Sequence, residues 1–382
     1  MTPTELDALF AFLVAAGVAM LLTPLTMRLA RTVGAIDQPR DRGLSNRETP
    51  RLGGLAIFVA AATAGSIWLP HTGPWGGILA AAALITLVGA LDDRFDFHPA
   101  IKLIGQVAAA VVAVAVGGVD VPYVTLPFFG HLTFPQAGPT ITAIGLVGMM
   151  NVVNFSDGVD GLAAGVCAII AVAFAVIAFT LTGKQHAGGV LAAVTAGAAL
   201  GFLVHNFPPA SSFMGDAGSN LLGLLMGCVA VEGDLKTSAV VTLGLPLILL
   251  AVPFLDTTFV VLKRLKYRRP VYRADQEHLH HRMARIGFSV RRTVLFFYGW
   301  TLMLAGYAVA LRFIHYSDQH GHLRAGGTIL VVALGLIVAL ASLYLIYVLE
   351  ILRGVTLSRL PKPRPGARAA EAQATEDGAD AE

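Results

Sequence analysis

Asparagine and aspartate recur every three residues in the stretch NVVNFSDGVDGLAAG, residues 151–165, which lies between two apolar runs. The members of the series are Asn151, Asn154, Asp157 and Asp160. Residues three apart lie side by side on one surface of a helix, so these amides and carboxylates form a polar ladder. Carboxylates beside hydrocarbon are costly and usually mark an ion or substrate site. The alternative interpretation is an acidic loop that binds no ligand.

A second pair of carboxylates, Asp92 and Asp93, ends another apolar run. Two adjacent carboxylates repel each other unless a cation lies close to them. Such a pair suits general-base catalysis or the binding of Mg²⁺. Taken alone, the pair is explained equally well as the solvated end of a helix.

A single carboxylate, Asp216, lies between glycines just before a further apolar run, and Pro208 and Pro209 interrupt the helix that precedes it. Backbone N–H groups at the start of a helix can bind phosphate, and Asp216 is suited to hold a metal ion that bridges this phosphate. The nearby Phe213 ring either packs in the core or stacks on a planar base. Composition alone favours core packing for this ring.

The longest polar stretch, residues 263–292, combines basic clusters with three histidines, His278, His280 and His281. A zinc site is one interpretation, but no cysteine or carboxylate stands at the matching finger spacing. Histidine beside arginine fits phosphate binding better. A second basic segment, residues 37–54, contains Arg51 and is another surface that phosphate could contact.

The composition places these motifs in a membrane protein. Of the 382 residues, 55% are hydrophobic and only 13% are charged, whereas about 25% are charged in soluble domains. A membrane-crossing helix needs about 20 apolar residues. On this basis we predict about eleven spans, at residues 8–27, 52–70, 76–91, 100–117, 138–153, 161–182, 188–205, 219–232, 238–262, 294–314 and 327–350. The segment 118–137 is predicted to form a short hairpin or to lie at the membrane interface.

Basic residues set the orientation of the spans, because they accumulate on the cytoplasmic side. With the N-terminus outside and the C-terminus in the cytoplasm, 23 of the 27 lysines and arginines lie inside. Residues 1–352 are then a transmembrane catalytic domain with cytoplasmic active-site loops. The Pro-, Ala- and acid-rich tail, residues 353–382, is predicted to be disordered.

The predicted topology brings all the polar motifs to one membrane face. The segments concerned are 37–54, 91–96, 151–161, 205–220 and 263–292. Five segments that converge in this way predict one shared site at the cytoplasmic surface of the membrane.

These motifs together resemble those of the polyprenyl-phosphate N-acetylhexosamine-1-phosphate transferases, integral membrane enzymes that move a sugar 1-phosphate from a UDP-sugar to a lipid phosphate. The resemblance rests on T-P-R-L-G-G at 49–54, the Asp92-Asp93 pair, the ladder at 151–163, F-M-G-D-A-G-S at 213–219 and H-L-H-H at 278–281. The motifs follow the family's order across residues 25–350. Each motif is weak alone, but the set is specific.

The resemblance implies a role for each matching residue. Asp216 and Asn154 would bind Mg²⁺, or Mn²⁺ in its place. Asp92 and Asp93 would deprotonate the lipid phosphate or, in an alternative scheme, form a covalent intermediate. Phe213 would stack on uracil, which reverses the preference from composition. The remaining implied contacts are Asp157, Asp160, Asn206 and Arg51 to the substrate and His278, His280 and His281 to the diphosphate.

The expected fold is therefore an all-α polytopic membrane protein of the plasma membrane. The expected reaction transfers GlcNAc-1-phosphate from UDP-GlcNAc to undecaprenyl or decaprenyl phosphate and starts a cell-envelope glycan. Its partners are these two substrates and membrane lipid, without nucleic acid; a homodimer is left open.

Two alternatives compete with this expectation. The phospho-MurNAc-pentapeptide transferases of peptidoglycan synthesis share the Asp pair and the ladder, but resemble this chain less in their three consecutive histidines and ten spans. A transporter would use its carboxylates to carry ions near the middle of the bilayer, whereas these carboxylates are predicted at the ends of spans.

Overall fold

The computed structural model describes residues 4–38, 48–70, 73–121, 123–126, 130–133, 136–180, 186–232, 288–314 and 324–359. Ten helices lie in these ranges: α1 (Glu5–Val33), α2 (Gly53–Trp68), α3 (Trp75–Phe95), α4 (Pro99–Ala115), α5 (Gly138–Ser156), α6 (Leu162–Thr180), α7 (His186–Asn206), α8 (Gly215–Glu232), α9 (Val290–Phe313) and α10 (Ala325–Arg359). They overlap ten of the predicted spans. The predicted span 238–262 lies outside the described residues, as does most of the predicted tail.

Seven of the helices in the described ranges are long and apolar enough to cross a membrane: α1, α3, α5, α6, α7, α9 and residues Ala325–Leu345 of α10. Helices α2 and α4 are apolar but shorter. The chain is thus a mostly helical, polytopic membrane protein, as predicted. The total of eleven spans and the side on which each terminus lies stay predictions.

Two small antiparallel ribbons interrupt the helices. Strand β1 (Ile36–Asp37) pairs with β2 (Thr49–Pro50), with Ile36 opposite Pro50. Strand β3 (Tyr123–Leu126) pairs with β4 (Gly130–Thr133). The second ribbon is the hairpin that was one of the two predictions for segment 118–137.

A tight connection joins α3 to α4. Asp96 ends α3 in the left-handed conformation, with φ 51°, and the His98 side chain accepts a hydrogen bond from the backbone N–H of Ala100 at the start of α4. Proline at the first position of a helix is favourable because its missing N–H would have no partner there, and Pro99 occupies this position. This short connection places the first residues of α4 beside the last residues of α3.

Helix α8 lies in the interior and packs against α2, α3, α5 and α7. Glycines allow the closest of these approaches at the beginning of α8. A Cβ added at Gly54 of α2 would lie 2.2 Å from the backbone nitrogen of Gly218, and one added at Gly89 of α3 would lie 2.5 Å from the Cα of Ala217. The ends of α2 and α3 are therefore held against the backbone that carries Asp216.

Candidate active site

The Asp92 and Asp93 carboxylates end α3, but they have different partners. Asp92 is buried, accepts a hydrogen bond from the backbone N–H of Phe97 at 2.8 Å and contacts the Lys102 ammonium at 2.6 Å. Asp93 accepts hydrogen bonds from the first backbone N–H groups of α8, those of Asp216 at 2.9 Å and Ala217 at 3.2 Å. Asp93 therefore caps α8, a role that the sequence did not indicate.

Lys102 is a cation that lies between the carboxylates of Asp92 and Asp216. Its Nζ lies 2.6 Å from Oδ2 of Asp92 and 2.8 Å from Oδ2 of Asp216. The lysine stands in the first turn of α4, which the tight α3–α4 connection brings beside the end of α3. Sequence reasoning missed this residue. The available signal was a single lysine at the start of an otherwise apolar helix.

Asp216 and Asn154, the predicted metal ligands, lie side by side. The Asn154 Nδ2 donates to Oδ1 of Asp216 at 3.0 Å and to Oγ of Ser219 at 2.8 Å. Asn154 belongs to the last turns of α5 and Asp216 to the first turn of α8. The structure thus joins two motifs that are 62 residues apart in the sequence.

The second half of the ladder forms the loop between α5 and α6. Asn206 accepts a hydrogen bond from the backbone N–H of Gly161 at 3.0 Å and donates one to the carbonyl of Ser212 at 2.9 Å. Oδ2 of Asp160 accepts from the N–H of Ala210 at 2.9 Å. Asp160 and Asn206 therefore tie the loop 157–161 to the loop 207–214. Whether they also contact substrate stays a prediction.

Asp157 differs from these neighbours because its carboxylate accepts no hydrogen bond from the described part of the chain. The side chain is half-buried at the end of α5. Burial raises the pKa of Asp157 well above its usual value, and the nearby Asp216 and Asp93 carboxylates raise it further. A bound cation or hydrogen-bond donor would stabilise the charged form, so this carboxylate is available to a ligand.

The two predicted substrate contacts near β2 are also brought to this end of the helices. The backbone of Phe213 donates to the carbonyl of Pro50 at 2.8 Å, and the Phe213 carbonyl accepts from Gly53 at 3.0 Å. The Phe213 ring is half-buried, so it is neither a core side chain nor fully exposed. The Arg51 guanidinium pairs with Asp37 on β1.

Helix α9 contacts the loops 157–161 and 207–214. The Arg291 Nε donates to the carbonyl of Pro208 at 2.8 Å, and the Tyr298 hydroxyl donates to the carbonyl of Gly161 at 2.5 Å. This helix begins directly after the segment that contains the three histidines. His278, His280 and His281 themselves lie outside the described residues.

Four of the five polar segments predicted to share a site therefore meet at one end of the helices. Of the fifth, 263–292, only residues from 288 onwards are described, and Arg291 reaches the same place. The described residues hold no group of three histidine, cysteine or acidic side chains arranged as metal ligands. Yet Mg²⁺ is usually held by one or two carboxylates together with substrate phosphate and water. The oxygen-bearing side chains of Asp216 and Asn154 fit that smaller requirement.

An apolar cavity of about 500 Å³ opens between α4 and α5 next to this cluster. Its lining residues are Val107, Val111, Val114, Ala115, Pro139, Thr140, Ala143, Ile144 and Val147. Val107 follows Lys102 by little more than one turn of α4, and Val147 precedes Asn154 by two turns of α5. The cavity therefore begins one to two helical turns from the charged cluster and extends towards the other end of both helices, with almost only hydrocarbon on its walls.

Comparisons with known proteins agree with this geometry. The profile of glycosyl transferase family 4 matches residues 75–234, which contain the Asp pair, the ladder and Asp216. A Bacillus subtilis protein named probable undecaprenyl-phosphate N-acetylglucosaminyl 1-phosphate transferase is 35% identical over 296 residues, which are 75% of this chain and 80% of the relative. A Mycolicibacterium smegmatis decaprenyl-phosphate N-acetylglucosaminephosphotransferase is 36% identical over 306 residues, 72% of this chain and 75% of the relative.

A relative from the peptidoglycan group is also similar. The phospho-N-acetylmuramoyl-pentapeptide-transferase of Moorella thermoacetica is 32% identical over 324 residues, which are 78% of this chain and 97% of the relative. These three relatives are similar over 72% to 78% of this chain. This protein belongs to glycosyl transferase family 4.

Proposed function

We propose that this protein transfers N-acetylglucosamine 1-phosphate from UDP-GlcNAc to undecaprenyl or decaprenyl phosphate and releases UMP. The observation that carries the proposal is the cluster of Asp92, Lys102, Asn154 and Asp216, from which α4 and α5 lead to the apolar α4–α5 cavity. The names of the relatives from B. subtilis and M. smegmatis support the sugar and the lipid. The carboxylates stand at helix ends, which argues against the alternative of an ion-coupled transporter.

The reaction needs positioning and charge neutralisation more than covalent help from the protein. An oxygen of the lipid phosphate attacks the sugar-bearing phosphorus of the UDP-sugar. A new P–O–P bond forms, the bond from that phosphorus to the bridging oxygen breaks, and UMP leaves with the bonding electrons. Both substrates are anionic, so the site must supply positive charge.

Asp216 and Asn154 are assigned to hold Mg²⁺, and Mn²⁺ is expected to replace it. When bound, the ion neutralises phosphate charge and orients the diphosphate. Asp216 is well placed for this role because it lies at the start of α8, where the helix dipole favours phosphate.

Lys102 and Asp92 are assigned to the acceptor phosphate. The Lys102 side chain keeps 33% of its surface exposed, so its ammonium can contact a phosphate while remaining next to α3. Asp93 is held by two backbone N–H groups of α8, whereas Asp92 contacts Lys102, the cation assigned to the acceptor phosphate. We therefore assign the removal of the phosphate proton to Asp92 and the support of α8 to Asp93.

The donor nucleotide is placed on the other side of Asp216. Asp157 has an available carboxylate that can accept hydrogen bonds from hydroxyl or N–H groups of the nucleotide, and the half-buried Phe213 ring can stack on the uracil. Arg51, Asp160 and Asn206 border the same loops. His278, His280 and His281 are assigned to the diphosphate on the resemblance alone.

The α4–α5 cavity is assigned to the first part of the polyprenyl tail. The apolar lining of the cavity suits hydrocarbon, and the phosphate would lie beyond its near end, one to two helical turns away, beside Lys102 and Asp92. The site would thereby join a lipid-soluble acceptor to a water-soluble donor. We also propose that the protein can assemble as a homodimer. The molar mass of the protein in detergent tests this.

The donor assay tests the proposed reaction. Purified protein with Mg²⁺ and undecaprenyl or decaprenyl phosphate should release UMP from UDP-GlcNAc and form a lipid-diphosphate sugar. UDP-MurNAc-pentapeptide should give no turnover under the same conditions. Use of the muramyl donor with none of UDP-GlcNAc would place the protein in the peptidoglycan branch. Omission of the lipid acceptor is the control for simple hydrolysis of the donor.

The site is assigned to the cytoplasmic face of the plasma membrane on the distribution of lysine and arginine. A cysteine that replaces Gly43 or Gly366 should resist an impermeant thiol reagent in intact cells, whereas one that replaces His186 or Gln319 should react. The native Cys167 and Cys228 are buried, so they give little background. Labelling of the Gly43 position from outside would reverse the orientation. Labelling after membrane permeabilisation is the control that each cysteine can react.

A further inference from the structure

Three amide side chains form a continuous hydrogen-bonded chain beneath the charged cluster. Asn151 on α5 donates through Nδ2 to Oε1 of Gln106 on α4 at 2.8 Å. Gln106 donates through Nε2 to Oδ1 of Asn220 on α8 at 2.7 Å. Gln106 and Asn220 are each only 5% exposed. These three residues are called the amide layer below.

The amide layer ends on the backbone of a proposed metal ligand. The Asn220 Nδ2 donates to the carbonyl of Asp216 at 2.8 Å. The hydrogen bonds between helices run from α5 through α4 to α8, while Asn151 also donates to the carbonyl of Val147 in its own helix. Gln106 is the member of the amide layer that accepts from one helix and donates to another. In a membrane interior, where water cannot replace a lost partner, such polar contacts bring helices together.

Each member of the amide layer lies one helical turn from a residue of the charged cluster. Gln106 follows Lys102 by four residues, and Asn220 follows Asp216 by four. Asn151 precedes Asn154 by three residues. Residues three or four apart in a helix lie on the same face, so a contact between two amides fixes the contact between the corresponding site residues one turn away.

From this arrangement we propose that the amide layer sets the register of α4, α5 and α8, and that Gln106 is a positioning residue for Lys102, Asn154 and Asp216. The inference rests on the proposed function, because its purpose is to hold the proposed metal ligands against the lysine. Gln106 does not touch the charged groups. It acts through the helices that carry them.

The position of the layer explains why amides are suited to this task. Val107, the residue after Gln106, and Val147, four residues before Asn151, already line the apolar cavity. The layer thus lies where the charged site gives way to hydrocarbon. Neutral amides fix the geometry there without adding a charge that would compete for Mg²⁺ or phosphate. A purely apolar contact would allow the helices to slide, because dispersion contacts are not directional.

The decisive variant is Gln106→Met, which keeps the length of the side chain and removes its hydrogen bonds. We expect kcat for UMP release to fall about 10- to 100-fold, the range found when groups that orient metal ligands are lost. The KM for UDP-GlcNAc should change less than about threefold, since the nucleotide loops stay tied by Asn206 and Asp160. Mn²⁺ affinity without substrate, measured by electron paramagnetic resonance, should fall in parallel with kcat.

A second variant separates positioning from simple stability. Gln106→Met leaves the Asn220 carboxamide oxygen buried without its partner, which lowers the unfolding temperature. In Gln106→Met/Asn220→Leu this buried acceptor is removed as well, so stability should partly recover. If the layer positions the site, kcat and Mn²⁺ affinity stay low in the double variant. Thr195→Val is the matched control, because Thr195 is buried on α7 and donates only within its own helix.

Each result decides the proposal. Wild-type kcat and Mn²⁺ affinity in Gln106→Met would overturn it, as would recovery of both together with stability in the double variant. If the wild-type protein releases no UMP from UDP-sugars, the proposed function fails, and the comparison of Mn²⁺ affinities still tests the amide layer. If the wild-type protein releases UMP but binds no Mn²⁺ without substrate, the comparison of kcat values tests the amide layer. If the wild-type protein shows no UMP release and no Mn²⁺ binding, both proposals are overturned.

Discussion

Asp216→Asn is expected to reduce UMP release to background, a loss of about a thousandfold or more. The change keeps the shape of the side chain but removes the charge that contacts Lys102 and the best oxygen ligand for Mg²⁺. Metal stabilisation of phosphoryl transfer amounts to several kcal/mol, and each 1.4 kcal/mol is about a tenfold change in rate. Initial rates at saturating UDP-GlcNAc, with Mg²⁺ varied, measure the effect.

Two further measurements show whether this loss comes from the metal site. Mn²⁺ binding should disappear in Asp216→Asn, while the thermal unfolding temperature changes little because Asn154 can still pair with the new amide. Glu232→Gln is the matched control, since Glu232 is the last residue of the same helix. It should keep wild-type turnover. Rates close to wild type in the Asp216 variant would show that the ion is held elsewhere.

The pairing of Asn154 with Asp216 shows what the sequence can predict about this site. Carboxylates and amides are costly next to hydrocarbon, so each polar motif is detectable in an apolar chain even without knowledge of its neighbours. Hydropathy also predicted apolar segments that overlap the ten helices of the described residues, because the thickness of the bilayer fixes the length of a crossing helix. Together these two constraints were enough to predict that the motifs converge at helix ends.

Lys102 and Gln106 show what the sequence could not predict. Lys102 contacts Asp216 across 114 residues of sequence, and Gln106 contacts Asn220 across the same separation. A single lysine or glutamine in a helix carries no motif. Its meaning depends on which helix packs against it, and this information is absent from local spacing.

Asp93 and Asn206 show a different limit. Their motifs marked them as candidate site residues, but the same oxygen atoms can accept hydrogen bonds from a substrate or from the protein backbone. In the structure Asp93 caps α8 and Asn206 ties two loops together. Which of the two partners the oxygen atoms contact depends on how the neighbouring backbone is placed relative to the side chain. Composition and spacing do not reveal this.

The arrangement of the helices is likewise hidden in their hydropathy. The apolar windows of α6 and of α10 have mean hydropathies of 2.8 and 2.6. Most of the α6 window is buried, whereas none of the α10 window is. Lipid tails are as apolar as leucine, so hydrophobicity does not separate the interior of a bundle from its lipid-facing surface. Small residues at helix contacts are a better indicator of the interior, because Gly54 and Gly89 lie directly against the backbone of α8.

Asp92→Asn is the second substitution with a large expected effect. Asp93→Asn and Asp96→Asn are the substitutions with which it is compared. We expect kcat to fall about 10²- to 10⁴-fold, the usual contribution of a general base, because an amide cannot accept the proton of the lipid phosphate. The unfolding temperature should change little, since the new side chain can still accept the hydrogen bond from Phe97. Single-turnover rates with undecaprenyl phosphate measure the chemical step.

Asp93→Asn should behave differently because Asp93 caps α8. The amide can accept only one of the two hydrogen bonds that the carboxylate receives, so stability should fall by about 1 kcal/mol, as for other helix caps, and turnover should fall with it. Asp96→Asn is the control: Asp96 is exposed and has a left-handed backbone, which asparagine also tolerates. A loss of turnover in Asp93→Asn without a loss of stability, together with an active Asp92→Asn, would exchange the roles of the two aspartates. The expected result instead assigns proton transfer to Asp92, beside Lys102, and structural support to Asp93, beneath Asp216.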